Sequence, residues 1–260
     1  MPTQVRSSAP QPAYAGGWSA VPWTAAHAAQ NVRERPERLR KPFSWKEPRR
    51  VFVNSMSDLF HELVSDAFIA RVFDVMVRTP HTFQILTKRS ERAATWPGPW
   101  TERIWLGASV ENKQALPRLD ALRASGARVR FLSLEPLLED LGRLDLRGIH
   151  WVIVGGESGP HFRPMDHAWA RSIRDQCVAA GVPFFLKQSA ARRTEVGTQL
   201  VEADGRKTTW HQYPDAVTRP PEGAAPARRQ LPLELGSGAR SGPRRGGPAA
   251  LARRRRFTRL

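Results

Sequence analysis

Between residues 49 and 188 the chain passes six times through a short apolar, β-branched stretch that stops abruptly at polar or charged residues. These stretches are residues 50–54, 81–88, 104–111, 128–135, 150–157 and 182–188. A strand with one face in water alternates apolar with polar residues. These stretches are apolar almost throughout, so both of their faces are expected to be covered. Segments with helical spacing lie between most of them. Such strands alternating with helices predict a parallel α/β sheet, in which ligands gather at the carboxyl ends of the strands.

Local signals mark the connections. Ser65 is placed to cap a helix whose apolar face is Phe68, Ile69, Val72, Phe73 and Met76, and Pro80 closes it. A short helical piece over 90–95 is broken by Pro97-Gly98-Pro99. Asn112 is expected to cap the next helix, with Leu116, Leu119 and Leu122 inside and Gly126 as its left-handed C-terminal residue. Asp166 caps a last helix that carries Trp169, Ile173 and Cys177 on one stripe and ends at Gly181. Asp204-Gly205 predicts a hairpin turn between Leu200-Val201 and Thr208-Thr209-Trp210. Right-handed crossovers between such strands leave a TIM-like (β/α) barrel or partial barrel, or an open doubly wound sheet. No phosphate-binding glycine loop opens the first helix, which favours the barrel.

The residues at and just past the strand ends form a polar set: Asn54, Ser57 and Asp58, then Lys88 and Arg89, then Ser109 and Glu111. Ser133 and Glu135, Gly155, Gly156 and Glu157, and Lys187 and Gln188 complete it. Hydroxyls and amides leave room for a ligand, and carboxylates accept from an amine or a ribose or do acid–base work. Lys88 and Arg89 suit an anionic group. This set is the candidate cofactor-binding site, and a ring of mutually compensating salt bridges is the plainer alternative. Asp58 and His61 stand three residues apart, but two ligands do not make a metal site, so no metal site is predicted. Gly155-Gly156-Glu157-Ser158-Gly159 resembles a phosphate loop, yet the next helix starts only near Asp166. A backbone that lets a ligand approach closely is the expectation there. No catalytic residue is assigned.

Charge sharpens the domain boundaries. The formal net charge is +17, and residues 219–260 contribute 11 arginines against only Glu222 and Glu234. More than half of the excess therefore sits in a Pro-, Gly-, Ala- and Arg-rich tail that ends in Arg253-Arg254-Arg255-Arg256-Phe257. Such a segment buries too little apolar surface to order itself. It reads as a nucleic-acid-binding arm, as a solvated tail, or as translation past the natural end of the reading frame. Residues 1–34 are equally aperiodic and are expected to be disordered or misread. The barrel is placed over 35–215 and the disordered tail over 216–260. There is no secretory signal pattern and no stretch of membrane-spanning length. The single cysteine, Cys177, allows no internal disulfide and fits a reducing cytoplasm. It recurs at the spacing of the last helix's apolar stripe and reads as a packed core thiol.

Several strings stand in order along this domain: Pro36-Glu37-Arg38-Leu39, Phe52-Val53-Asn54-Ser55-Met56-Ser57-Asp58-Leu59-Phe60-His61 and Phe83-Gln84-Ile85-Leu86-Thr87-Lys88-Arg89. Trp105-Leu106-Gly107-Ala108-Ser109-Val110-Glu111, Ser133-Leu134-Glu135-Pro136-Leu137 and Trp151-Val152-Ile153-Val154-Gly155-Gly156-Glu157-Ser158-Gly159 continue them. Arg163-Pro164-Met165 and Phe184-Phe185-Leu186-Lys187-Gln188 complete the series. Together they resemble an uncharacterised protein family of bacteria and bacteriophages, the phage gp thirty-seven/gp sixty-eight family. The resemblance implies a parallel barrel related to radical S-adenosylmethionine enzymes. For intact members it implies S-adenosylmethionine and a 4Fe-4S cluster, and a hetero-partner protein often encoded nearby.

Members of that family usually carry a three-cysteine segment ahead of the first strand, and this chain has none. Three thiolates are needed to hold the cluster, so the chain as written is expected to bind none. It reads as a truncated or inactive form of such an enzyme. A misassigned start or a shifted frame, which the aperiodic residues 1–32 favour, and a relative that has lost catalysis are the two explanations. Glu157 or Ser109 is then placed to meet methionyl or ribose groups. The alternative is a phage-associated nucleic-acid-binding protein that uses strand-end basic residues and the arginine tail. An ordinary barrel enzyme using Lys88, Glu135 and Lys187 on a phosphorylated small molecule ranks last.

Overall fold

The computed structural model describes residues 21, 24–53, 57–214 and 258–259. Asn54, residues 1–20 and nearly all of the tail beyond residue 214 lie outside the described residues, and so do the expectations placed on them. An N-terminal arm holds a 3₁₀ turn at Ala25–His27, helix α1 (Ala28–Asn31) and a 3₁₀ stretch at Pro36–Ser44. Strand β1 (Arg50–Phe52), α2 (Asp66–Arg78), β2 (Thr82–Thr87), α3 (Ser90–Thr95) and β3 (Ile104–Ser109) follow. Next come α4 (Arg118–Ala124), β4 (Val129–Leu134), β5 (Trp151–Gly155), α5 (His167–Ala180) and β6 (Phe184–Gln188). A small hairpin of β7 (Leu200–Val201) and β8 (Lys207–Thr208) turns at Gly205, whose φ is 82°. Each of the six apolar runs is a strand.

Every one of these six strands pairs in parallel with its neighbour in sequence, giving the order β6-β5-β4-β3-β2-β1. A doubly wound sheet reverses its progression once, and this one never does. Successive right-handed crossovers then lay the helices on a single face, and the sheet curls into a half-barrel. The predicted barrel is therefore present as the partial form: β1 and β6 do not pair. Six strands fall short of the roughly eight that close around a filled interior, and both edges are covered by other means. Residues 210–212 run along β6, with the Leu186 amide donating to Trp210 O (2.8 Å) and the Gln212 amide to Phe184 O (3.1 Å). A two-residue strand, β9 (Thr258–Arg259), pairs in parallel with the outer edge of β1.

The core lies between the sheet and its helices. Phe83, Ile85, Leu106, Leu132, Val152 and Leu186 of the strands meet Ile69, Phe73 and Met76 of α2, Leu122 of α4 and Ile173 of α5. Ser65 caps α2 by accepting from the Phe68 amide at 3.1 Å, and Asp66 in its first turn complements the helix dipole. Asn112 caps the 3₁₀ turn Lys113–Ala115 instead of α4, because Pro117 lies between them and lacks the amide that a continuous helix needs. Gly126 is not in the left-handed region expected of it. Its need for glycine is steric: a Cβ there would stand 2.6 Å from Cδ1 of Trp100. Asp166 and Gly181 bound α5 as expected, the glycine at φ 65°. Among the described residues no helix is long and apolar enough to cross a membrane.

Candidate functional site

The strands alternate, so the face turned away from the helices carries Gln84, Leu86, Trp105, Phe131, Ile153 and Phe185. Its lower half is an aromatic floor. Trp105, Phe131 and Trp151 are buried, with Trp151 edge-on to Trp105 at 6.3 Å. Tyr213 lies 5.5 Å from Trp151, and the Arg50 guanidinium sits 5.3 Å from the Trp105 ring and 5.1 Å from Tyr213. Both buried indoles find backbone acceptors at 2.9 Å, Glu102 O for Trp105 and Gln212 O for Trp151. The segment after the hairpin thus seals the bottom of the half-barrel and leaves the carboxyl end as its mouth.

At that mouth two carboxylate–ammonium pairs cross between strands. Lys88 at the end of β2 pairs with Oε1 of Glu111 beyond β3. Arg118 holds the other oxygen, Oε2, at 3.0 Å and also donates to Ser109 O at 2.7 Å. Burial opposes the charge on Glu111, but the Lys88 hydrogen bond and the Lys88 and Arg118 charges outweigh it and keep this carboxyl below its ordinary range. Beyond β4, Glu135 receives the Ser133 hydroxyl on Oε1 at 3.0 Å and the Lys187 ammonium on Oε2 at 2.9 Å. Glu111 and Glu135 are 11 % and 18 % exposed, whereas Lys88 and Lys187 are 57 % and 49 % exposed. The acids are largely buried in the wall and the lysines reach towards solvent.

Glycines set this geometry. A Cβ on Gly107 would fall 2.3 Å from the Phe131 ring, so that ring lies across β3 only because the position is bare. A Cβ on Gly155 would meet the Glu135 carboxylate at 2.8 Å. Gly156 answers to the protein's own chain: its Cβ would stand 2.1 Å from the Ala190 amide nitrogen. Its amide donates to Gln188 O at 2.9 Å, so the space expected for a ligand beside Gly156 is occupied by residues 188–191.

Other residues of the predicted set are committed elsewhere. Asp58 accepts from the Phe60 amide (3.0 Å), the Thr87 hydroxyl (2.7 Å), the Lys88 amide (3.0 Å) and Arg89 (3.2 Å). It fixes the turn after β2 with its lone pairs in use. Arg89 also donates to Glu62 at 2.7 Å. Glu157 is gripped in bidentate fashion by Arg163, at 2.8 Å to each oxygen, and that hydrogen bonding holds its carboxyl down to about 2. The Gln188 amide donates to Gly156 O at 3.0 Å, and its oxygen accepts from Thr194 and the Glu195 amide. Ser57 is exposed at the edge of a cavity near the mouth.

That cavity, of about 1050 Å³, opens at the ends of β1 to β3 and is bordered by Phe52, Leu86, Lys88 and Ser109 on the sheet side and by the N-terminal arm opposite. A recess of about 1310 Å³ lies at the other pole, between residues 142–150 and α5. It adjoins strand starts, where a parallel sheet of this kind does not place its ligands. Two participants escaped the sequence reading. Arg118 sits on α4, and only the fold brings it to Glu111. Gln84 is buried with no hydrogen-bond partner for its Nε2, and its polar character within an apolar run was the available signal.

A cysteine-held cluster does not fit these residues. Cys177 is fully buried on the core side of α5, and desolvation pushes its thiol up to about 12. Among the described residues no group of three His, Cys, Asp or Glu side chains is placed to hold a metal ion; His61 turns its Nδ1 to the Leu63 amide. The pair Ser189 and His167, 3.0 Å apart, is not a nucleophile and its base either. His167 Nδ1 accepts from the Val201 amide, which puts its proton on Nε2, facing the serine oxygen.

No curated protein and no solved structure matches the chain. A family match does cover most of its length. With residues 7–214 inside that match, the chain belongs to the family described as Protein of unknown function (DUF5131).

Proposed function

We propose that the half-barrel binds a small zwitterion carrying an amine and a carboxylate at its mouth, with S-adenosylmethionine the first candidate, and that this chain performs no cluster chemistry. The observation that supports this reading is the pairing of largely buried acids with half-exposed lysines across the strand ends, Lys88 with Glu111 from β2 to β3 and Lys187 with Glu135 across β5. A ligand ammonium can replace a lysine on Glu111 or Glu135, while the displaced lysine swings to the ligand carboxylate. The exchange turns one charge-assisted contact into two and leaves no buried charge unpaired. The aromatic floor beneath offers apolar surface to the rest of the molecule. The resemblance of the strand strings to an uncharacterised family of bacteria and phages, which implies a barrel related to radical S-adenosylmethionine enzymes, supports the choice of ligand, and the single buried cysteine argues against the cluster.

Titration calorimetry with S-adenosylmethionine, S-adenosylhomocysteine and adenosine tests the reading. Binding of the first two, weakened about tenfold or more by Glu135→Gln or Glu111→Gln, is the expected outcome. Adenosine binding as tightly as S-adenosylmethionine, or no binding of any of them at millimolar concentration, sinks it. A second reading, nucleic-acid binding, is favoured by the arginine content of residues 219–260. It requires DNA or RNA affinity that falls steeply with salt and is lost when that tail is deleted.

A further inference from the structure

The cavity at the ends of β1 to β3 has a second wall whose chemistry differs from that of the mouth. Arg33, Arg35, Arg38 and Lys41 line it from the arm and Lys88 and Arg89 from the sheet, with Glu34 and Asp58 among them. Lys88 already meets Glu111, Arg89 meets Asp58 and Glu62, and Arg35 stands 3.9 Å from Glu37. Glu34 and Asp58 are both held by the protein's own donors. Glu34 accepts from the Ser65 amide (2.8 Å) and the Ser65 hydroxyl (2.6 Å), while Asp58 is saturated by the four donors already described.

The arm presenting these cations is pinned at both ends. Glu34 ties it to the cap of α2. At the other end Nε2 of the buried His81 lies 2.8 Å from Pro42 O, while its Nδ1 accepts from the Arg49 amide. Arginines on a pinned backbone lose less freedom on meeting a ligand than arginines on a loose tail. At about 1050 Å³ the cavity also stands at the top of the roughly 300–1,000 Å³ range of single small-molecule sites, so its volume is not exhausted by one zwitterion at the mouth.

We propose that Arg33, Arg35, Arg38 and Lys41 form a phosphate-binding wall, and that the cavity takes a polyphosphate-bearing small molecule of the nucleotide class. Guanidinium groups match phosphate oxygens in bidentate fashion, and the arm sets three of them with one ammonium along the same cavity. Because it lies on the arm, its occupancy does not depend on Glu135 and Lys187 binding a zwitterion.

The test uses the full chain and titrates inorganic tripolyphosphate, ATP and a short oligothymidylate. Three proteins are compared: wild type, Arg33→Gln/Arg38→Gln, and a variant with Arg253, Arg254, Arg255 and Arg256 all changed to Gln. Circular dichroism checks that each is folded. The expected result is binding of tripolyphosphate and ATP that drops about tenfold or more in the arm variant and is unchanged in the tail variant. If neither polyphosphate binds, if the arm variant matches wild type, or if only the tail variant loses affinity, the proposal is overturned. An arm-dependent site that takes oligothymidylate and refuses ATP overturns the nucleotide class in favour of a strand. Glu135→Gln serves as the separating control: it should weaken S-adenosylmethionine and leave tripolyphosphate unaffected.

Discussion

Gly155 and Glu135 share one volume: a Cβ on the glycine would stand 2.8 Å from Oε2 of Glu135, the same oxygen that meets Lys187 at 2.9 Å. The bare backbone of β5 is what lets the acid fold back beside β6. Gly155→Ala should therefore push the carboxylate out of reach of Lys187, weaken ligand binding to the level of Glu135→Gln, and cost about 1–3 kcal/mol through overpacking. Urea unfolding and ligand titration on the same variant check both halves. A variant as stable and as tight-binding as wild type refutes the shared volume.

Asp58 ties the loop after β1 to the turn after β2 through four donors, two of them backbone amides. Asp58→Ala strands those amides and leaves Arg89 with Glu62 alone, so a loss of at least about 2 kcal/mol is expected. Ligand affinity should fall with it, because Lys88 is positioned by the same turn. Denaturant midpoints with an unchanged slope would register the effect; a loss confined to affinity would mean that Asp58 touches the ligand directly.

Acid should loosen the region under the β7–β8 hairpin. Glu202 accepts from both Nη atoms of Arg174, at 2.8 and 3.2 Å, and from Thr208. The Arg174 hydrogen bonds hold its carboxyl down to about 2, against an ordinary value of 4.5. The folded state thus binds fewer protons than the unfolded one between these values. The stabilisation is complete above about 4.5 and is lost as pH falls towards about 2. Glu157, held near 2 by Arg163, adds in the same window. Glu202→Gln should flatten the pH dependence of stability between pH 5 and pH 2.5, as read by thermal melts; an unchanged slope would remove Glu202 from the account.

Cys177 should behave as a core residue and nothing else. With its thiol buried and pushed up to about 12, alkylation by iodoacetamide at pH 8 should occur only in denaturant. Anaerobic incubation with iron and sulfide should leave the full chain colourless. A brown, oxygen-sensitive product would show that the chain finds cluster ligands without a second cysteine.

The six strands were legible because each is covered on both faces, which makes its run apolar enough to stand out. Ser65, Asp166 and Gly181 were legible because caps act within one turn of their own helix. Asn112 and Gly126 differ from expectation for a related reason: Pro117 moves the start of α4, and the indole packed on Gly126 comes from Trp100, ahead of β3 in the chain. The polar strand ends pointed to the mouth, but their roles were not readable one by one. Asp58, Glu157 and Gln188 look like site residues in sequence, and each is spent on the protein's own backbone or on an ion pair.

The sequence by itself determined a parallel α/β sheet with its chemistry at the strand ends, because burial and capping are written in residue type at short range. Only the tertiary structure decided that β1 and β6 do not pair, that residues 210–213 cover the sheet's edge and floor, and that Lys88 meets Glu111 while Lys187 meets Glu135. Those outcomes depend on the register between strands 23 and 52 residues apart in the chain. Register comes from packing the whole sheet against its helices, and no local pattern records it.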